Sequence, residues 1–355
     1  MTTTDLPHIA SELALTTPSG ASMLGRPRWV DEYLLAETLR ARGDEHFLRD
    51  AVRSGVIRRA ARGVYRLDDA RRQAIAAGVH PKDDAYLAHV RAVALTASAS
   101  TVFSHESAAV LWGMRLFGEW PDRVIVTVPP RTNGASTADL IRHLHGLGDT
   151  VVIDGMRVTT ASRTVADCLM TAERFAAFEL ACAALFVPRR GRAIVARAAV
   201  QEELDVSGSV RGVRRARALW EDATVGCESP AEARSLRLIL DHGFEKPEQQ
   251  VHIRDEQGDM FADFAWLGAQ LVGECDGITK YLPRGPGSDR AELVEKALRR
   301  EKQREGRLRR AGWEHTRWST PTLRDERAFV SLLDTAGVPR RRRARRYALS
   351  PAHAG

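Results

Sequence analysis

Two short apolar segments near the C-terminal end of the chain carry carboxylates inside them, and this pattern restricts how they can fold. Segments 261–266 (FADFAW) and 271–277 (LVGECDG) are typical of buried strands. The first contains Asp263, and the second contains Glu274 and Asp276 on one face, because strand side chains alternate. If the stretch between the segments forms a hairpin loop, the two strands pair antiparallel. The sequence then predicts that Asp263 lies directly opposite Glu274.

The opposition of these two carboxylates requires a compensating charge. Directly opposed side chains have Cβ atoms about 4.5–5.5 Å apart, and two carboxylates there repel by about 3 kcal/mol at an effective dielectric of about 20. A divalent cation between them reverses the sign, and hard oxygen ligands suit Mg²⁺ or, alternatively, Mn²⁺. Two other arrangements stay open: a polar sheet edge exposed to solvent, or a carboxylate paired with an arginine.

A basic helix is predicted directly after these strands, over residues 289–311. Its apolar stripe is interrupted by Glu301, and a charged group on a buried face needs a partner or a function. Lys302 and Arg304 flank the stripe and could reach either the strand carboxylates or a phosphate. A buried ion pair within the domain accounts for the same pattern.

Positive charge is concentrated at this end of the chain. The 355 residues include 53 basic and 46 acidic side chains, a formal charge of +7. Residues 295–347 alone hold 17 basic and 7 acidic side chains, so this stretch carries +10 and the remainder of the chain is acidic. A local basic footprint favours phosphate contacts, although a solubilising tail has the same composition.

The sequence shows no sign of a membrane or secreted protein. No apolar run approaches the roughly 20 residues of a membrane helix, and residues 1–25 lack the regions of a signal peptide. The four cysteines have no metal-binding spacing and are too few for a disulfide scaffold. We therefore expect a cytoplasmic protein with no membrane partner.

The N-terminal part, residues 26–75, has the pattern of a winged helix. Helices are predicted over 31–43 and 45–54, followed by a hairpin over 55–67 that turns at basic residues. Such a module reads duplex DNA, and its wing would place three arginines near phosphates. These arginines are Arg58, Arg59 and Arg62. A small module that forms a homodimer is the alternative.

The rest of the chain divides by composition and periodicity. Residues 1–25 form a loose leader, 76–190 a middle α+β domain that alternates helices and strands, and 191–225 a helical connector. The last domain covers 226–330, and 331–355 is a basic tail. We expect an α/β (α+β) multidomain protein.

A helix is predicted to open the last domain. Ser229, Pro230 and Glu232 fit an N-cap, a first-turn proline and a capping box. This accounts for Glu232 without a catalytic role.

Several of these features together resemble one nuclease family. They are Glu232 on a helix, Gln250 in a strand, Asp263 in FADFAW, the GECDG run around Glu274, and EKQREGRLRRAGW followed by Arg317. Over residues 228–323 the chain resembles the very-short-patch-repair (Vsr-like) endonucleases of the PD-(D/E)XK superfamily. The resemblance implies a mixed sheet flanked by helices and Mg²⁺-dependent hydrolysis of DNA phosphodiesters.

The resemblance also implies roles for individual residues. Asp263 and Glu274 would bind the metal, and Glu232 would help to position it or a water. The family usually has a lysine two residues after the second acid, but this chain has Asp276 there. Lys280 or Lys302 could take over that role, and Asp276 could be an additional ligand. Arg304 and Arg317 would contact DNA.

A second resemblance covers the N-terminal and middle regions. The motifs RRAARGVYRL, SHESAAVLWG and TTASRTVADCL are similar to the AbiEi-type antitoxin proteins of abortive-infection systems. This implies a repressor of its own promoter that counteracts a cognate toxin, with nuclease-like acids that are not catalytic. The leading hypothesis is a DNA-binding protein with a Mg²⁺-dependent endonuclease domain, and the antitoxin and transcriptional repressor is the alternative.

Overall fold

We analysed a computed structural model, which describes residues 27–98, 100–129, 135–144, 148–188, 191–276 and 290–341. The protein combines helices and mixed sheets, as predicted, and it divides into two compact units, Met1–Pro230 and Ala231–Gly355. The N-terminal, middle and connector segments therefore belong to one unit. In the described part of the chain, no helix is both long and apolar enough to cross a bilayer.

The first unit begins with two short helices and a small antiparallel sheet. The strands lie in the order β1-β3-β2. The elements are β1 (Tyr33–Leu35), α1 (Ala36–Ala41), α2 (Glu45–Arg53), β2 (Ile57–Ala61) and β3 (Val64–Leu67).

The predicted helix over 31–43 is partly wrong. Residues 28–32 form a 3₁₀ turn, and Tyr33–Leu35 form a strand because all three side chains are buried where the backbone pairs with β3. Helical structure starts only at Ala36. The hairpin is present as predicted, and Gly63 takes the left-handed conformation that its turn requires (φ +73°).

A larger sheet forms the middle of this unit, with strand order β6-β5-β4-β8-β7. A buried ion pair joins β3 of the small sheet to the helix Pro81–Ala94. Arg66 of β3 donates to Asp84 of that helix at 2.8 Å and to Glu32 at 3.0 Å. The strands are β4 (Val102–Phe103), β5 (Val124–Val128), β6 (Leu140–Leu144), β7 (Thr150–Ile153) and β8 (Met156–Thr159). The helices, including the two of the connector, are α3 (Asp68–Ala76), α4 (Pro81–Ala94), α5 (His105–Leu111), α6 (Ala161–Thr171), α7 (Arg174–Leu185), α8 (Arg197–Val206) and α9 (Val213–Asp222).

The second unit contains a four-stranded mixed sheet with order β12-β11-β10-β9. Strands β9, β10 and β11 are antiparallel neighbours, and β12 runs parallel to β11. The strands are β9 (Glu248–Asp255), β10 (Gly258–Trp266), β11 (Leu271–Asp276) and β12 (Glu314–Ser319), and the helices are α10 (Pro230–Asp241), α11 (Arg290–Arg310), α12 (Thr320–Arg324) and α13 (Glu326–Thr335).

Helices pack on this sheet through two apolar groups of residues. Leu308 of α11 belongs to a buried cluster with Val272 and Ala265. Trp318 stacks near Phe264 and donates a hydrogen bond to Ser235 of α10 at 2.8 Å. The packing brings α10, the ends of β10 and β11, and α11 around one part of the sheet.

Candidate functional site

The strands β10 and β11 separate where the sequence predicted opposed carboxylates. Their register is confirmed, because Trp266 pairs with Leu271, but the ladder ends at Phe264 and Gly273, one step before the acids. The carboxylate of Asp263 instead accepts the backbone N–H of Cys275 at 2.8 Å. Asp263 therefore stands at the level of Glu274 and fills the gap where the strands diverge.

Strand β9 is distorted at the same level. Val251 pairs with Ala262 and Gln249 pairs with Phe264, so the pairing with β10 skips Gln250 between them. The backbone of Gln250 is left-handed (φ +51°), which is uncommon for a residue other than glycine, and its side-chain amide donates to Glu232 of α10 at 3.3 Å. Backbone strain of this kind costs about 1–3 kcal/mol and is concentrated at functional sites.

The buried carboxylate of Glu274 is held by three cationic or imidazole groups. It accepts from Arg304 at 2.6 Å, from Arg317 at 2.7 Å and from His315 at 3.2 Å. Burial by itself would raise the pKa of Glu274, but these hydrogen bonds and the charge of Arg304 hold that pKa well below its usual range. Of the arrangements left open by the sequence, Glu274 adopts the pairing with arginine.

The arginine partners of Glu274 weaken the reason to expect a metal ion between Asp263 and Glu274. The guanidinium groups compensate Glu274, so in this arrangement the repulsion between the two acids no longer needs a cation. Arg317 also lies 3.2 Å from Asp276, and it therefore spans two acids of β11. Of the residues predicted to contact DNA, the two in this unit, Arg304 and Arg317, are engaged with protein carboxylates.

Three other carboxylates converge on Cys275. Burial is the largest cause that raises the pKa of its thiol to about 12, and the charges of Asp263, Glu232 and Asp276 raise it further, while a hydrogen bond with Ser235 acts in the opposite direction. These acids come from α10, β10 and β11, so the fold gathers groups that are far apart in sequence.

Four carboxylates come together in this part of the second unit. They are those of Glu232, Asp263, Glu274 and Asp276, with Arg304 and Arg317 bound to Glu274. Carboxylate oxygens are the donors that a hard divalent cation prefers. The described residues contain no group of three His, Cys, Asp or Glu side chains already arranged as a metal site.

Of the two lysine candidates, Lys302 alone lies in the described part of the chain. Lys302 is exposed on α11, and Lys280 lies outside the described residues, as does the side chain of Glu301. Two of the described cationic side chains of α11 reach the sheet: Arg304 binds Glu274, and Arg307 binds Asp255 at the end of β9.

His315 belongs to the site but was not among the residues predicted from the sequence. It lies two residues before Arg317 on β12, and the parallel register pairs Arg317 with Glu274. The alternation of polar and apolar residues over 314–319 indicates a polar face, but only the register shows that this face meets Glu274.

The three arginines predicted to lie on a wing, Arg58, Arg59 and Arg62, have different environments in the β2–β3 hairpin. Arg58 donates to Asp68 at 2.6 Å, and Arg59 is exposed and donates to the carbonyl of Ala61 at 3.4 Å. Arg62 is exposed at the hairpin turn, beside Gly63. Of the three, Arg62 has the position at which a wing would meet a phosphate.

Comparisons with known proteins identify partial relatives. No protein-family profile matches the chain. The chain is similar to two proteins of Mycobacterium tuberculosis, the uncharacterized protein MT2308 of strain CDC 1551 / Oshkosh and the uncharacterized protein Rv2248 of strain ATCC 25618 / H37Rv. Each is 31% identical over 119 residues, which are 33% of this chain and 40% of the relative. The match thus spans well under half of either relative.

Proposed function

We propose that this protein binds duplex DNA and that its C-terminal unit is a Mg²⁺-dependent endonuclease of the PD-(D/E)XK type. The observation that carries the proposal is the gathering of Glu232, Asp263, Glu274 and Asp276 where β10 and β11 diverge, beside a basic helix. Carboxylate oxygens brought together next to basic side chains suit a divalent cation that binds a phosphate.

Each side chain has a role in this proposal. Asp263 and Glu232 would hold the metal with Asp276 or Glu274, and Mn²⁺ could replace Mg²⁺. The bound ion would activate water and neutralise charge on the scissile phosphate. Arg304 would bind that phosphate, and Arg317 would keep the acids of β11 in position.

The proposal is tested with supercoiled plasmid, the purified chain and either MgCl₂, MnCl₂ or EDTA. We expect nicking that needs the metal, and its loss in Asp263→Asn and Glu232→Gln. Glu248→Gln is the matched control, because Glu248 is exposed at the start of β9. Absence of nicking by the wild type, or equal nicking by Asp263→Asn, would contradict the enzyme.

Direct metal binding gives an independent measurement. Titration calorimetry should show binding of Mg²⁺ or Mn²⁺ by the wild type and a loss of at least tenfold in affinity for Asp263→Asn. If neither ion binds, the acids of this site are structural.

A second candidate function is a DNA-binding antitoxin and transcriptional repressor with a non-catalytic nuclease-like domain. The pairing of Glu274 with two arginines favours it, because those cations occupy a predicted metal ligand. A cognate toxin is an expectation of this second proposal. A homodimer and a cytoplasmic location are expectations of both proposals.

A gel shift on the upstream promoter region tests the repressor. Arg62→Ala should weaken binding and reduce its salt dependence by about one charge, since one phosphate contact is lost. Arg157→Ala is the control, because Arg157 is an exposed arginine on β8 outside the wing. Unchanged binding by Arg62→Ala would exclude a wing contact.

A further inference from the structure

A cavity of about 250 Å³ opens on the surface of the first unit. Its walls come from the loop after α5, from α7 and the segment that follows it, and from residues 227–230 at the end of the unit. The N–H of Val195 donates to the carbonyl of Ala184 at 3.2 Å, which holds the segment after α7 against that helix. The residues of the proposed function do not line this cavity, so that function leaves it without a role.

The walls of the cavity are largely apolar. Ala183 of α7, Phe186 directly after it and Ile194 are half-buried and line the cavity, and the buried Cys227 lines it as well. A cavity of about 150 Å³ accommodates a benzene ring, whereas sites for drug-sized ligands begin at about 300 Å³. A volume between these two values suits one aromatic ring that carries a short polar substituent.

Two arginines supply positive charge at the cavity. Arg192 lines it and has no hydrogen bond or ion pair with any residue in the described part of the chain. Arg115 lines it too, and its Nε lies 3.4 Å from Asp83, which is long for a hydrogen bond. The guanidinium of Arg192 is therefore available to an anion, and its planar fork matches the two oxygens of a carboxylate.

The two acids at the cavity have other partners. Glu179 of α7 is buried (1% exposed) and accepts the backbone N–H of Phe117 at 2.8 Å. Glu228 also interacts with a group other than Arg192. A polyphosphate would need more cations and more space than this cavity provides, whereas one carboxylate on an apolar body matches one guanidinium and apolar walls.

We propose that this cavity binds a small aromatic carboxylate, with the ring against Phe186 and Ile194 and the carboxylate at Arg192. The inference does not depend on the proposed function, because the cavity and the carboxylate site belong to different units. A ligand that binds the folded state alone stabilises it by mass action, so these compounds should raise the melting temperature of the first unit.

The test uses benzoate, phenylacetate and salicylate as probes, each titrated into the full chain by calorimetry. At least one of them should bind at millimolar concentration or below. Its neutral amide, which has the same shape, should bind at least about tenfold more weakly, because it lacks the charge-assisted hydrogen bonds to Arg192. The same probe should raise the melting temperature, and the amide should raise it less.

Three variants locate the ligand in the cavity. Arg192→Met should weaken binding of the carboxylate at least about tenfold and leave binding of the amide unchanged, since only the charged contact is lost. Arg157→Met is the matched control, because Arg157 is an exposed arginine of the same unit that does not line the cavity. Ala183→Phe fills the space and should abolish binding of both compounds.

The contrary results are distinct. The proposal is overturned if none of the three probes binds the wild type at millimolar concentration, or if acid and amide bind equally. An unchanged affinity in Arg192→Met, a surface variant that does not disturb folding, overturns it as well. Inorganic phosphate that displaces the bound probe without binding of the amide would assign Arg192 to a simple anion site and exclude the aromatic ligand.

Discussion

At the scale of single residues, Glu274 has two competing uses. As a metal ligand it must be accessible to a cation, yet its carboxylate is almost completely enclosed by Arg304, Arg317 and His315. In this arrangement it binds two guanidinium groups and fixes their position. Its contribution to stability can therefore be measured separately from any catalysis.

Glu274→Gln should destabilise the second unit by about 3 kcal/mol, since Arg304 and Arg317 lose the charge of the buried carboxylate that they share. This is the lower end of the expected range, because Arg304 is one-third exposed. Urea denaturation measures the change. The control is Glu295, which forms an exposed pair with Arg299 one helical turn away. Glu295→Gln should lower the free energy of unfolding by only about 0.3–0.5 kcal/mol, the usual magnitude for such a pair. A similar small effect for both variants would contradict the arginine pairing.

The effect of Glu274→Gln should also depend on pH. The folded protein lowers the pKa of Glu274, so the unfolded chain binds its proton first as the pH falls. The stabilisation is complete above the ordinary value of 4.5 and is lost progressively below it. The difference between wild type and variant should therefore be constant at pH 6–8, by this linkage, and shrink below about pH 4.5. A constant difference down to about pH 3 would contradict this account.

At the scale of elements, β11 depends on a residue without a side chain. A Cβ built on Gly273 would lie 2.6 Å from Cη2 of Trp318 and 3.2 Å from the ring of Trp266. Both rings are buried and cannot move aside cheaply, so the centre of the strand accepts no larger residue.

Gly273→Ala should destabilise the second unit by about 1–3 kcal/mol through overpacking. Gly268→Ala is the matched control, because the space around Gly268 in the hairpin loop is open and its backbone is not left-handed. Thermal unfolding followed by tryptophan fluorescence reports the shift. Equal melting temperatures for the two variants would show that the strand relaxes around the methyl group.

Helix α11 should couple metal binding to DNA binding through Arg304. A DNA phosphate that binds Arg304 would release the carboxylate of Glu274 for a metal ion. DNA should therefore increase the affinity of the wild type for Mg²⁺. By thermodynamic reciprocity, Mg²⁺ should increase its affinity for DNA. Arg304→Met should bind Mg²⁺ more tightly without DNA and lose the coupling. Arg299→Met, exposed on the same helix, is the control. Calorimetry of Mg²⁺ with and without a duplex measures the coupling, and identical coupling in Arg304→Met would contradict it.

At the scale of the whole molecule, the division at Pro230 separates two hydrophobic cores. The small N-terminal sheet and the middle sheet share one unit, and Arg66 of β3 is buried between Glu32 and Asp84 of α4. The carboxylate site belongs to the other unit. A variant in one core should therefore affect the stability of that unit alone.

Calorimetry should detect this independence. Arg66→Met leaves Asp84 buried without its bidentate partner and should lower the melting temperature of the first unit only. Gly273→Ala should lower that of the second unit only. Parallel shifts of a single transition by both variants would show that the chain unfolds as one cooperative body.

The sequence by itself determined the local elements and the hairpin register. Periodicity and turn residues specified helices such as α2 and α11 and the strand pair that places Trp266 against Leu271. These features depend on contacts between residues near one another in the chain, which a pattern records. The strand at Tyr33–Leu35 was missed because its identity depends on pairing with β3 across the following helices.

Tertiary structure alone decided what surrounds Glu274 and Asp263. His315 and Arg317 reach Glu274 through a parallel register with a strand some forty residues away, and Arg304 reaches it from a separate helix. The divergence of β10 and β11 then turns Asp263 toward the backbone of Cys275. A sequence can show that two acids lie on paired strands. Which cations bind those acids depends on packing between segments that are distant in the chain. Such packing produces no periodic pattern in the local sequence.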